Sequence, residues 1–246
     1  MNPDTSSNSG NRRILMVASN PAISPITQWP IGFWWAELTH PYLAFEEAGY
    51  EIELVSPDGG DLIGDGYSDP EDDSGYSAGD VISRGFKHSP DHVKAILGTK
   101  ALADVAFEDF DAIMLIGGQG PMVTFIDDER VHEAFAHFYE SGKVACAICH
   151  STCILLKSKL SDGSLLVSGR SWTGFANSEE RFAEQAAGTK IQPFWIETEA
   201  AKIENTNFIT SVPFSSFVVR DGNLITGQQQ NSGREAAEAV IAALGR

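Results

Sequence analysis

Positive charge is what this 246-residue chain has least of: 17 Lys and Arg stand against 34 Asp and Glu, a net charge of −17. A surface this acidic repels phosphate backbones and anionic headgroups, which argues against nucleic acid and membrane surfaces as partners. Apolar runs are short, and none approaches the roughly 20 residues that a membrane helix needs. The polar opening, Met1 to Asn11, lacks the apolar segment of a secretory signal. Residues 1–11 are therefore expected to be a disordered tail and the cytoplasm the compartment. Cysteine is scarce and clustered, with Cys146, Cys149 and Cys153 inside one eight-residue stretch. That excludes a disulfide framework and leaves a reactive site or a buried strand. No internal repeat or linker is visible, so residues 12–246 read as one domain. With 42% apolar, 10% aromatic and 21% charged residues, the composition is that of a globular chain with one large core.

Short apolar runs alternate with segments of helical period. Arg12–Ser19, Tyr50–Ser56, the run from Asp111 into Gly117-Gly118 and the run Lys143–Ile148 read as buried strands. Trp34 to Ala48 has the 3.6-residue period, with Trp34, Leu38, Tyr42 and Phe45 on one face and Gly49 as its stop. A second helix is expected over about Glu129–Ser141, and a third directly after Cys149. This βαβα rhythm with continuous apolar strands predicts an α/β fold, a parallel sheet covered on both faces. Near the end, Asp221-Gly222-Asn223 lies between β-rich runs and reads as a hairpin. The segment from Ser232 reads as a capped helix stopped by Gly245.

Pro57 to Ser83 carries Asp58, Asp61, Asp65, Asp69, Glu71, Asp72, Asp73 and Asp80 with no Lys or Arg. A calcium loop over Asp61, Asp65, Gly66, Asp69 and Asp72 would put Ile63 at a ligand position and lacks the final Glu, so a solvated surface loop is the better reading. Other metal and cofactor patterns also fit poorly. Cys146-Ala-Ile-Cys149-His150 spells a haem attachment signal or a redox pair, but Cys146 lies inside a strand. A zinc site lacks a second ligand pair. His88 and His92 are four apart, but Ser89-Pro90 starts a helix between them, so they need not share a face, and His132 and His137, five apart, lie about 140° around a helix. Gly117-Gly118-Gln119-Gly120 has no third glycine at the offset a dinucleotide fingerprint requires. Gly169-Arg-Ser171-Trp-Thr173 lacks the final glycine of a serine elbow.

The remaining local signal is strand, Cys149, helix. A nucleophile on such a turn is exposed at the carboxyl edge of a sheet, and Ala147 and Ser151 supply the small neighbours it needs. A helix beginning there would favour the thiolate, and its amides could hold an oxyanion. A buried core cysteine is the competing reading. The turn at Gly118 could likewise be an oxyanion hole or a plain turn. Glu37, set among Trp34, Trp35 and Pro41, is either an exposed helix residue or an acid whose pKa an apolar setting raises.

Taken in order, five segments resemble those of a known family. They are the Cys149-His150-Ser151 segment after its apolar strand, Glu37-Leu-Thr-His-Pro41, Gly117-Gly118-x-Gly120, Thr173-Gly-Phe-x-Asn-Ser-Glu-Glu180, and the run from Val218 to Gln228. They resemble the ThiJ/PfpI superfamily with its class I glutamine amidotransferase-like fold, in the branch of small heat-shock chaperones and glutathione-independent glyoxalases (glyoxalase III). The resemblance implies a flavodoxin-like sandwich with a mostly parallel central sheet, helices on both faces and a nucleophile elbow. It implies Cys149 as nucleophile, His150 as its adjacent base, Glu37 as the acid against the sulfur, Glu180 as the group orienting the histidine, and Gly118 as an oxyanion donor.

Two departures, Gln119 where the family usually has histidine and Ser151 where it usually has glycine, place both residues beside the substrate and put its identity in question. The implied activity is cysteine-dependent conversion of a 2-oxoaldehyde to a 2-hydroxy acid without metal or organic cofactor. A hydratase or hydrolase of another small electrophile, or a stress-responsive chaperone or redox sensor, is the alternative. A homodimer is the expected assembly.

Overall fold

A computed structural model describes residues 12–245; the expected tail over residues 1–11 lies outside the described residues. Counting the strands of the main sheet in chain order, β1 is Arg13–Val17, β2 Glu51–Ser56, β3 Lys100–Ala101, β4 Ala112–Leu115, β5 Val144–Ile148, β6 Val218–Asp221 and β7 Leu224–Gly227. Their order across the sheet is β6-β7-β5-β4-β1-β2-β3. Every neighbouring pair is parallel except the hairpin of β6 and β7 at one edge. Gly222, at φ 64°, provides the left-handed step that the hairpin turn requires.

The helices are α1 Trp35–Glu47, α2 Val81–His88, α3 Pro121–Thr124, α4 Glu129–Glu140, α5 Asn177–Ala187, α6 Ile196–Ala200 and α7 Gly233–Ala243. Side chains alternate along a strand, so each central strand feeds both faces. Leu15, Val17, Ile113, Leu115, Ala145 and Ala147 pack with α3, α4 and α6. Ile14, Met16, Ala112, Met114, Cys146 and Ile148 pack with α1, α2 and α7. Burial on both faces is why these strands read as unbroken apolar runs.

Three local expectations need correction. The segment after Cys149 is a 3-10 helix, Cys149–Leu156, and not an α-helix. Its Thr152 hydroxyl bonds back to the Cys149 carbonyl at 2.6 Å, the kind of local bond that competes with the α-helical ladder. Helix α1 starts at Trp35, leaving Trp34 as its extended cap residue and off the core face. Ser232 does not cap α7, because its hydroxyl instead accepts the N–H groups of Phe217 and Gln229.

Candidate active site

All parallel strands end at one edge of the sheet, and the candidate residues gather where β5 and its neighbour β4 stop. Cys149 comes directly after β5 and has φ 56°, a left-handed conformation that a side-chain-bearing residue rarely adopts. This is the sharp turn expected of an elbow. Its Sγ lies 3.4 Å from His150 Nδ1, and His150 Nε2 lies 2.9 Å from Glu180 Oε1. The His150 ring stacks on Phe175, with centroids 4.2 Å apart, which fixes its plane.

Glu180 and its neighbour, alike in sequence, have separate tasks. Glu179 Oε2 accepts the Ala176 N–H, and its Oε1 accepts from the Phe214 N–H and Gln228 Nε2. Its valences are spent on the frame of the cleft, whereas Glu180 faces the imidazole.

Glu37 projects from the first turn of α1 into the same point and is fully buried. Neither of its oxygens has a partner of full hydrogen-bond geometry; the nearest polar neighbours are the Cys149 thiol and the Gly117 N–H. Glycine at 117 makes this approach possible, since a Cβ there would fall 2.1 Å from Glu37 Oε2 and 2.7 Å from Cys149 Cβ. Desolvation pushes the Glu37 carboxyl up to about 8, so at neutral pH it holds its proton. The exposed-helix reading of Glu37 is therefore excluded.

Burial, and secondly the Glu37 carboxyl, raise the Cys149 thiol as well. The expectation that a helix N-terminus would favour a resting thiolate is thus reversed. The cysteine opens a 3-10 turn, and desolvation outweighs the favourable backbone N–H of His150.

The Gly118 turn comes from the end of β4. Gly118 has φ 113°, and a Cβ on it would meet the Trp34 nitrogen at 2.5 Å, so only glycine fits. The next amide, Gln119 N–H, donates to Asp65 Oδ2 at 2.7 Å, while Asp65 Oδ1 accepts the Gly32 N–H at 2.8 Å. Asp65 is completely buried, and desolvation pushes its carboxyl up to about 7.

Asp58, Asp61, Glu71 and Asp73 are exposed, as a solvated loop requires, but the acidic segment Pro57–Ser83 departs from that reading at Asp65, whose side chain turns inward to hold the turn beside Cys149. Other carboxylates of the stretch also have internal partners. Asp61 accepts from Gly98 N–H, Asp69 pairs with Lys87 at 2.6 Å, and Asp80 caps α2 through Ser83 N–H. Among the described residues no group of three or more His, Cys, Asp or Glu is placed to hold a metal ion.

A cleft of about 130 Å³ opens above Cys149 and His150. Gln119 lines it and Ser151 does not. The Ser151 hydroxyl turns inward, donating to the carbonyls of Leu115 and Ile148 and accepting the Ile148 N–H, where it ties β4 to β5. The assignment of Ser151 to substrate binding is therefore withdrawn.

The fold agrees with what comparison with known proteins finds. The model of the DJ-1/PfpI family matches residues 32–243. The chain belongs to the DJ-1/PfpI family. Among relatives, this DJ-1/PfpI protein is 26% identical over 235 residues to the probable glutathione-independent glyoxalase hsp3103 of Schizosaccharomyces pombe, covering 87% of this chain and 90% of that one. Glyoxalase 3 of Candida albicans is 27% identical over 221 residues, covering 86% and 89%. Among solved structures, the Rapid Encystment Protein 24 KDa of Francisella tularensis superposes with a TM-score of 0.85 at 26% identity, covering 96% of this chain and all of that one.

Two features of this family member are not singled out by its sequence. Asp65 is one of eight acids in a polar stretch, and only its partners 33 and 54 residues away distinguish it. Tyr76 and Phe214, which line the cleft, come from segments without regular period. No helix among the described residues is long and apolar enough to cross a membrane.

Proposed function

We propose that this protein is a glutathione-independent glyoxalase that converts a 2-oxoaldehyde to a 2-hydroxy acid through Cys149. The observation that carries the reading is the chain of contacts Glu37, Cys149, His150, Glu180 at one strand end, with His150 Nδ1 turned to the sulfur and Nε2 to the carboxylate. The relatives named as glyoxalases support it.

Because Cys149 rests as a thiol, His150 takes its proton as the sulfur attacks the aldehyde carbon. Glu180 accepts from Nε2–H, so Nδ1 is the tautomer's free base and the imidazolium that forms is stabilised. Glu37, holding its proton, places no charge beside the sulfur, whereas an ionised Glu37 would oppose the negative charge that develops there. The carbonyl oxygen becomes an oxyanion and receives the proton from His150, giving a hemithioacetal; Gly118, the expected oxyanion donor, is not among the residues that line the cleft.

His150 then removes the hydrogen from the former aldehyde carbon, producing an enediol. It returns a proton to the adjacent carbon, leaving a thioester of a 2-hydroxy acid. Water cleaves the thioester and restores the thiol, so the sum is one 2-oxoaldehyde plus one water giving one 2-hydroxy acid.

The test is turnover of 2-oxoaldehydes by purified protein with no glutathione present. Wild type is expected to form the 2-hydroxy acid, and Cys149→Ala to form none. Equal product from both proteins would overturn the assignment.

A further inference from the structure

The cleft above Cys149 is built for more than a methyl group. One wall is a run of ring contacts: Trp29 with Tyr67 at 5.8 Å, tilted, then Tyr67 with Tyr76 at 6.4 Å and Tyr76 with Trp34 at 6.1 Å between centroids, both edge-on. A second group is Phe182 against Phe214, 5.1 Å apart. Both groups line the same cavity as the thiol.

Phe214 is held there at a cost, because its φ of 58° is left-handed for a bulky residue. Its N–H is fastened to the buried Glu179 at 2.8 Å and its carbonyl accepts from Asn231 Nδ2 at 2.8 Å. Among the described residues the lining contains no Lys or Arg. Its polar side chains away from His150 and Glu180 are neutral, namely the tyrosine hydroxyls and the amides of Gln119, Gln192 and Gln230. A cavity of about 150 Å³ is enough for a benzene ring, and this cleft, at about 130 Å³ and open on one side, is of that order.

We propose that the cleft recognises a neutral aryl group, which makes an aryl-substituted 2-oxoaldehyde the preferred substrate; this rests on the glyoxalase reading above. Rings in offset or edge geometry favour a flat π-face over an alkyl chain of equal size. The absence of a cationic partner in the lining, on a protein of net charge −17, disfavours substrates carrying a carboxylate or phosphate.

The experiment measures kcat/KM without glutathione for phenylglyoxal, methylglyoxal and 4-carboxyphenylglyoxal, with wild type and with Phe182→Ala. Phe182 is 51% exposed, so its loss is not expected to unfold the chain. Phenylglyoxal is expected to exceed methylglyoxal by at least about tenfold, and 4-carboxyphenylglyoxal to fall below phenylglyoxal by a similar factor. Phe182→Ala is expected to narrow the phenyl-to-methyl ratio roughly three- to tenfold, the range one lost aromatic contact gives. The ratio is the deciding quantity, since intrinsic carbonyl reactivity cancels between the two proteins.

A second measurement monitors saturable binding of phenylglyoxal and methylglyoxal to Cys149→Ala through quenching of Trp29 and Trp34 fluorescence. Turnover of methylglyoxal as good as that of phenylglyoxal, with the ratio unmoved by Phe182→Ala, overturns the aryl cleft and leaves the glyoxalase reading standing. Preferential binding of phenylglyoxal with no turnover of any of the three supports the aryl cleft and overturns the glyoxalase reading. Equal weak binding of both aldehydes overturns the aryl cleft.

Discussion

Replacing Glu37 by glutamine should change how the stability of the protein responds to pH. In the folded chain the carboxyl keeps its proton up to about pH 8, whereas an unfolded glutamate releases it near 4.5. Between those values the folded state binds more protons than the unfolded one, so wild-type stability falls as pH rises through this window. The slope is about 1.4 kcal/mol per pH unit, which accumulates to about 3 kcal/mol by pH 7 and levels off near 5 kcal/mol above pH 8.

Glutamine has nearly the same shape and no proton to lose, so it does not take part in this decline. Asp65 also titrates in the region, with its carboxyl raised to about 7. It does so in both proteins and largely cancels in the difference. For a chain of this size each kcal/mol moves Tm by about 2–4 °C. Thermal melts at matched ionic strength should therefore show Tm of Glu37→Gln minus Tm of wild type growing by roughly 5–10 °C between pH 5 and pH 7. A constant offset at pH 5, of either sign, is irrelevant. A difference that stays flat from pH 5 to 8.5 would refute the assignment of a buried, protonated carboxyl.

The same geometry sets further outcomes. Limiting iodoacetamide at neutral pH should label Cys149 before Cys146 or Cys153, because only Cys149 lines the cleft while the other two are fully buried in the core; peptide mapping that finds either of the others first would remove the elbow assignment. Asp65→Ala should lower the unfolding free energy by about 2–4 kcal/mol in urea titration, since it strands the buried Gly32 amide and the part-buried Gln119 amide. Asp65→Asn, which keeps one carbonyl, should lose less, and equal losses would mean that the amides find other partners. Gln119→His should alter the relative kcat/KM of different 2-oxoaldehydes, because that side chain faces the cleft. Ser151→Gly should leave those relative values unchanged and lower Tm, because its hydroxyl ties two strands together; a change of selectivity with unchanged Tm would reverse the two roles.

The strands that carry the site are legible in the sequence because β1, β4 and β5 are buried on both faces, and nothing but apolar residues can occupy them. The hairpin is legible because its Gly222 turn is local chemistry. The edge strand β3 is not, since Lys100 and Ala101 pair for two residues and show no period. Cys149 can be located from its strand and turn, whereas its ionisation cannot. The sequence pattern suggests a helix dipole, but the chain forms a 3-10 turn and buries the sulfur against an acid from α1. Glu180 is separable from Glu179 only by resemblance, because adjacent helix residues differ in direction and not in type. Ser151 takes its expected role from its neighbour in sequence, while its hydroxyl answers to Leu115, 36 residues away.

The left-handed backbone of Cys149 sets two kinds of selection against each other. Glycine would relax that φ of 56° and is the residue best suited to it. A side chain held there costs on the order of 1–3 kcal/mol. A library selected for heat resistance alone should accumulate Cys149→Gly, a sturdier protein without the thiol. A library selected for survival on a toxic aldehyde should retain the cysteine and collect its compensating mutations elsewhere, in the two cores that hold the turn in place.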